Sequence, residues 1–202
     1  MAVRRSWAWI AGLGVAGLVA AGAVGMTQAA SRPRPDESSV SLKGVHTRYT
    51  LHLTIVTGGM IHKPGWPKFL ANGKSSARIV LPAHALVTVL LRSYDDGAAL
   101  TPAHFAAVDG TVGGVVRIGG KAVKGVAPKD VSHTFTVVGL DLNAPIPAVT
   151  GKKKFLTETF QFVTGAPGTW EWQCYAPCGT GKTGWDGPMI TPGYMMGTLV
   201  VR

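Results

Sequence analysis

The chain has 202 residues, enough for one domain with a substantial hydrophobic core. Only 15% of the residues are charged, whereas 46% are hydrophobic, and the chain contains 27 glycines and 13 prolines. This composition argues against a disordered chain, a coiled coil and a helical bundle. The formal net charge is +10, and the two cysteines are too few for a disulfide-stapled scaffold.

The first 30 residues have the pattern of a targeting segment. Arg4 and Arg5 precede residues 6–26, an uncharged apolar run of about 20 residues, which is long enough to span a bilayer. Small residues at 27–29 form a candidate signal-peptidase site. Residues 1–30 therefore form an N-terminal hydrophobic helix that is either a cleaved signal peptide or a retained transmembrane anchor. Both interpretations place the rest of the chain outside the cytoplasmic membrane.

Residues 31–44 follow as a polar linker that contains prolines. Removal of residues 1–30 takes away two of the 20 basic residues and leaves the 10 acidic ones, so the exported part stays strongly basic. A basic surface outside the membrane favours anionic lipid, a wall polymer or an acidic protein as a partner, and nucleic acid is not expected there.

Residues 45–202 are predicted to form an all-β domain. Apolar and polar residues alternate with a period of two in several short segments, and glycines and prolines separate these segments. Seven or eight short strands of this kind favour a β-sandwich or a barrel. The predicted strands are residues 49–55, 79–81, 86–91, 112–118, 131–137, 155–163, 170–174 and 197–201. A loop is predicted at 64–72, a short helix at 102–108 and an extended segment at 143–147.

The residues with metal-binding chemistry lie near the C-terminus, with one exception. The strand at 170–174 carries Cys174 at its end, and a loop rich in glycine and proline follows it with Cys178 and Met189. His133 lies on the apolar face of its own strand, earlier in the chain. Thiolate, imidazole and thioether together are donors that select copper. A stiff loop that fixes these donors suits electron transfer.

Four segments together resemble a cupredoxin domain: VSHTFTV (131–137), WQCYAPCG (172–179), GPM (187–189) and GYMMGTLVV (193–201). They resemble more narrowly the soluble domain of cytochrome c oxidase subunit II and the exported cupredoxin-like proteins of actinobacteria, over roughly residues 73–202. The resemblance implies a Greek-key β-sandwich, a copper centre with one or two ions, and one-electron transfer.

The site residues match the subunit II pattern only in part. That pattern has a histidine on an early strand, Cys-x3-Cys, a histidine four residues after the second cysteine and a methionine three residues further on. His133 fits the first position, and Cys174 and Cys178 have the cysteine spacing. Lys182 stands at the position of the loop histidine, and Trp185 stands at that of the methionine.

The resemblance thus implies an altered copper site. Met189 is the methionine nearest to the expected position, four residues later. Met195, His84 and His104 are candidates for the missing donor. The copper ligands that the resemblance implies are His133, Cys174, Cys178 and Met189.

Three interpretations of Cys174 and Cys178 stay open: copper ligands, a disulfide favoured by an oxidising compartment, and a redox-active dithiol. The first makes the protein a one-electron carrier linked to a respiratory chain, with a cytochrome or terminal oxidase as redox partner, and not an enzyme. The second makes it a metal-free module in assembly, copper delivery or wall interaction. Asp95, Asp96 and Asp109 are interpreted as turn residues, so hydrolytic chemistry has no support.

Overall fold

The computed structural model describes residues 40–58, 60 and 65–202. The expected targeting segment, residues 1–30, and most of the expected linker lie outside the described residues. Within the described ranges, no helix has both the length and the apolar character needed to cross a membrane.

Twelve strands and one short α-helix make up most of the regular structure in the described part of the chain. In chain order they are β1 (Thr47–Val56), β2 (Lys68–Ala71), β3 (Lys74–Ser75), β4 (Arg78–Leu81), β5 (Ala85–Ser93), α1 (Ala103–Ala106), β6 (Val116–Ile118), β7 (Lys121–Val123), β8 (Val131–Val137), β9 (Leu142–Pro147), β10 (Leu156–Val163), β11 (Gly168–Gln173) and β12 (Met196–Val201). Short 3₁₀ turns lie at Val112–Gly114, Pro128–Asp130, Val138–Leu140 and Gly187–Ile190.

The strands form two sheets, which confirms the expected all-β sandwich. The seven-stranded sheet has the order β3-β2-β1-β5-β10-β6-β7, and the five-stranded sheet has the order β4-β12-β11-β8-β9. The pairs β1–β5 and β4–β12 are parallel, whereas the other described pairs are antiparallel. Parallel neighbours need long crossovers, so chain segments distant in sequence meet at the same end of the sandwich.

The core lies between the two sheets, because the alternating strands turn their apolar residues inwards. Phe69 of β2 packs across the gap against Trp172 of β11 and Phe135 of β8, with ring centroids 5.2 and 6.2 Å apart. All three side chains are fully buried. This aromatic contact fixes the spacing of the sheets close to the residues of interest.

The predicted loop at 64–72 is wrong in part, since β2 forms within it and pairs with β1. The strand has only four residues and follows a segment with two prolines, so the alternation of apolar and polar residues extends over too few positions to be recognised in the sequence. The predicted strand at 112–118 is also shorter than expected. A 3₁₀ turn with Gly113 at φ +77° occupies its first half, and only β6 is extended. The extended segment at 143–147 is part of β9, an edge strand, where proline removes no essential ladder hydrogen bond.

Candidate metal centre

Four side chains from three parts of the sandwich converge in its interior. The Nδ1 atom of His133 lies 3.9 Å from Sγ of Cys174, and the two cysteine sulfurs are 3.2 Å apart as free thiols. Sγ of Cys178 lies 3.3 Å from Sδ of Met189. The structure therefore brings together the four residues singled out in the sequence.

His133 lies on an inner strand of the smaller sheet. Its strand β8 lies between β11 and β9, and all seven of its residues are buried. The pairing with β9 shifts in register between Val131 and His133, a bulge of the kind that re-aims a side chain. The imidazole is fully buried and meets the edge of the Phe69 ring at 6.2 Å between centroids.

Cys174 follows the last residue of β11 and is held on several sides. Its backbone N–H donates to the carbonyl oxygen of Met195 at 2.8 Å. Its sulfur accepts a hydrogen bond from the backbone N–H of Thr134 at 3.4 Å and lies 3.5 Å from the carbonyl oxygen of Ala176. The thiol is fully buried, so both its position and its access to water are restricted.

The loop after Cys174 folds back so that Sγ of Cys178 and Sδ of Met189 meet. Met189 lies in the 3₁₀ turn Gly187–Ile190 and is fully buried, whereas Cys178 is partly exposed. A Cβ atom at Gly179 would lie 2.6 Å from Cγ of Met189. Glycine at this position therefore permits the close approach of the thioether.

Asp95 is a member of the site that the sequence did not identify. Its Oδ2 atom lies 2.9 Å from Nε2 of His133, and its side chain is 17% exposed. Asp95 follows β5 of the larger sheet and precedes His133 by 38 positions. It lies in an irregular segment after the strand, and its partner is an imidazole from the facing sheet. No motif in the sequence joins the two residues.

The contacts among these groups shift their pKa values in opposite directions. Burial opposes ionisation of Cys174, but hydrogen bonds from Cys178 and His133 hold the pKa of the Cys174 thiol well below its usual range. The hydrogen bond to Cys174, together with burial, raises the pKa of Cys178 well above that range. Burial alone would lower the pKa of His133, yet the bonds to Asp95 and Cys174 raise it to about 9. The pKa of Asp95 is lowered by His133 despite partial burial.

The two candidate histidines, His84 and His104, lie outside the cluster. Among the described residues, the group of potential metal-binding side chains contains His133, Cys174 and Cys178, with ligand atoms within 4.8 Å of one another. His84 is exposed beside His46, and His104 is exposed on α1. Lys182, at the position of the loop histidine, is exposed as well.

The donors fit a metal ion in kind and in spacing. Two atoms bonded to one ion at about 2.0–2.3 Å, the lengths typical of imidazole and thiolate bonds to zinc, cannot lie more than about 4.5 Å apart. The spacings between His133 and Cys174, between the two cysteines, and between Cys178 and Met189 all satisfy this limit. Two thiols, a thioether and one imidazole form a predominantly soft set of donors. The group formed by His133, Cys174 and Cys178 can therefore bind a metal, and Met189 adds a fourth possible donor.

No protein-family model and no curated protein matches the chain. Solved structures similar to it include rusticyanin from Thiobacillus ferrooxidans, with 18% identity, a TM-score of 0.34, and 83% of this chain and 87% of that chain covered. A further structure of rusticyanin, described as a copper protein, has 20% identity and a TM-score of 0.35, with 83% and 88% covered. A heme-copper terminal oxidase dimer has 15% identity and a TM-score of 0.40, with 85% and 74% covered.

All of these structures have low sequence identity to this chain and TM-scores of 0.40 or less. At such identities and TM-scores they carry over no ligand, activity or partner to this chain. The chemistry of the site rests on its own residues.

Proposed function

We propose that the chain is an exported copper-binding protein of the cupredoxin type that carries single electrons. The observation that supports this proposal is the convergence of His133, Cys174, Cys178 and Met189, whose neighbouring donor atoms are 3.2–3.9 Å apart. Copper, when bound, would supply a one-electron change of oxidation state. The protein would act as a carrier and not as an enzyme in its own right.

The chain's own contribution is to hold the donors still and keep water away. His133, Cys174 and Met189 are fully buried, and Cys178 alone is partly exposed. The backbone of Cys174 is hydrogen-bonded to Met195, the residue directly before β12. Because rigid donors need little rearrangement when a metal changes charge, this arrangement suits electron transfer more than ligand exchange.

A redox partner would approach where the loop around Met189 reaches the surface. Ile190 directly follows Met189 and is 66% exposed, and Trp185 of the same loop is 37% exposed. Exposed apolar side chains beside a buried redox site favour a transient protein contact. A cytochrome or terminal oxidase is the kind of partner proposed, outside the cytoplasmic membrane and near it through residues 1–30.

A second candidate function is a metal-free module with a Cys174–Cys178 disulfide, acting in assembly, copper delivery or wall binding. One observation favours it: the two thiol sulfurs already lie 3.2 Å apart. An oxidising compartment would favour the bond between them.

Copper stoichiometry and the visible spectrum of the purified protein test the proposal, together with a count of free thiols before and after reduction. We expect the reduced protein to bind copper. The variants Cys174→Ser and His133→Ala should no longer bind it. His104→Ala changes an exposed histidine outside the cluster and is the matched control. The disulfide module would be supported instead if the protein binds neither Cu(I) nor Cu(II) and has free thiols only after it has been reduced.

A further inference from the structure

The hydrogen bond between Asp95 and His133 joins the two sheets. Asp95 extends from the end of β5 in the larger sheet, and His133 lies in β8 of the smaller one. A contact that crosses the sandwich at the candidate metal centre can set both the angle of the imidazole and the identity of its metal-facing nitrogen.

The carboxylate of Asp95 is itself held in place. Its Oδ1 atom accepts the backbone N–H of Gly97 at 2.9 Å, while Oδ2 faces His133. The backbone carbonyl of Asp95 accepts the N–H of Val149 at 2.9 Å, and its N–H donates to the Ser93 hydroxyl at 3.3 Å. Both oxygens and both backbone groups are therefore engaged, so the carboxylate is a fixed acceptor.

A fixed acceptor at Nε2 determines what the other ring nitrogen can do. Nε2 of His133 must carry a proton to donate to Asp95, so once the imidazole is neutral its lone pair is on Nδ1. Nδ1 is the nitrogen that lies 3.9 Å from Sγ of Cys174. The carboxylate also makes the imidazole a stronger electron donor, as carboxylate partners of metal-bound histidines do.

We propose that Asp95 is a positioning residue that presents Nδ1 of His133 to the metal and, through its negative charge, lowers the reduction potential of the centre. This inference rests on the proposed copper-binding function. Because the set of donors contains only one imidazole, the orientation of that ring has more influence than it would at a site with two.

Three variants distinguish the effect of Asp95 on the orientation of the His133 ring from the effect of its negative charge. Asp95→Asn keeps an oxygen that can accept from Nε2 but removes the charge, and Asp95→Ala removes both. Asp96→Asn changes the exposed neighbouring residue and is the matched control. We expect copper affinity to fall about 10- to 100-fold in Asp95→Ala and less in Asp95→Asn, as for other outer partners of metal-bound histidines. The reduction potential should rise in both Asp95 variants and stay unchanged in Asp96→Asn.

Nitrogen-15 NMR of the Cu(I)-loaded protein provides a readout that a merely structural role would not alter. The wild type should show a metal-bound Nδ1 and a protonated Nε2, a pattern that Asp95→Asn retains and Asp95→Ala loses. Unchanged nitrogen shifts, affinity and potential in Asp95→Ala would overturn the proposal.

The experiments distinguish a failure of the proposed copper-binding function from a failure of the role inferred for Asp95. If the wild-type protein binds no copper, the proposed function is wrong. The metal-free chain then still tests Asp95, since a hydrogen-bonded Nε2–H gives a slowly exchanging downfield proton resonance. Loss of that resonance in Asp95→Ala but not in Asp96→Asn would show that Asp95 orients the imidazole even without metal, and its presence in Asp95→Ala would contradict that orientation.

Discussion

The backbone N–H of Thr134 donates a hydrogen bond to Sγ of Cys174, and the Thr134 hydroxyl accepts the backbone N–H of Tyr175 at 2.8 Å. One residue of β8 thus holds both the sulfur and the first residue of the loop that follows it. Thr134 directly follows His133, so two adjacent residues of one strand position the imidazole and the sulfur that lies 3.9 Å from it.

Substitution of Thr134 by valine should loosen this loop without changing the volume of the side chain. We expect Thr134→Val to lower the free energy of unfolding by about 1 kcal/mol, because the Tyr175 N–H loses its acceptor. Thr164→Val is the matched control, since the buried Thr164 hydroxyl also accepts a backbone N–H, that of Ala85. Both variants should be destabilised in denaturant titrations, but only Thr134→Val should change the absorption of the copper-loaded protein. Equal effects of the two variants on that absorption would contradict the assignment.

The two cysteines of the metal-free protein should ionise at widely different pH values. The pKa of Cys174 is lowered by its hydrogen bonds from Cys178 and His133 despite burial, and the pKa of Cys178 is raised by its bond to Cys174 and by burial. Ultraviolet absorbance of the thiolate should therefore show one thiolate well below the usual range for cysteine and the other well above it. Cys174→Ser should abolish the low step, and His133→Ala should shift it upwards. A single step for both thiols at an ordinary pKa would refute the arrangement.

Copper affinity should increase as the pH rises towards 9. The metal-free His133 has a pKa of about 9, and the pKa of Cys178 is raised by Cys174 and by burial, so both groups hold protons at neutral pH. Metal binding needs a neutral imidazole and thiolates, so it must release these protons. Calorimetric titrations at pH 7 in buffers with different ionisation enthalpies measure that release. Binding enthalpies that do not depend on the buffer would show that no proton leaves.

Met189 should contribute to metal binding in a way that an equally buried methionine does not. Met189→Leu and Met195→Leu replace fully buried thioethers with a side chain of similar volume, so each should cost less than about 1.5 kcal/mol of stability. Only Met189 has a sulfur placed 3.3 Å from Cys178. We therefore expect Met189→Leu to weaken Cu(I) binding in a competition assay while Met195→Leu leaves it unchanged. Equal Cu(I) affinities of the two variants would show that Met189 is not a metal ligand.

The sequence predicted most strands and singled out the four side chains that converge, because each depends on a local pattern; their role as metal ligands stays a prediction. The period of two in residues 131–137 assigns His133 to the apolar face of its strand, and the four-residue spacing of Cys174 and Cys178 places both thiols close together after β11. Asp95 could not be predicted in the same way, because its contact with His133 depends on how the two sheets face each other. Strand β2 was missed for a related reason, since four residues become a strand only through pairing with β1.

Glu158 differs from Asp95, because its unusual position is visible in the alternation of its strand. In β10 the buried positions include Leu156, Glu158 and Phe160, so the carboxyl group points into the core. It opposes Leu91 of β5 and Ile118 of β6. Both carboxyl oxygens are buried without a hydrogen-bond partner among the described residues.

Burial therefore raises the pKa of Glu158 well above its usual range. A folded chain that binds this proton more tightly than the unfolded chain loses stability as the pH rises above the unfolded pKa of a glutamate. The loss approaches about 1.4 kcal/mol per pH unit while one proton separates the two states. Replacement by glutamine removes the ionisation, so Glu158→Gln should be more stable than the wild type at pH 8 and should show a flatter dependence on pH. The exposed Glu171→Gln is the control. Denaturant titrations between pH 4 and pH 9 measure how the free energy of unfolding depends on pH. Equal dependences in the wild type and Glu158→Gln would show that ionisation of Glu158 does not destabilise the fold.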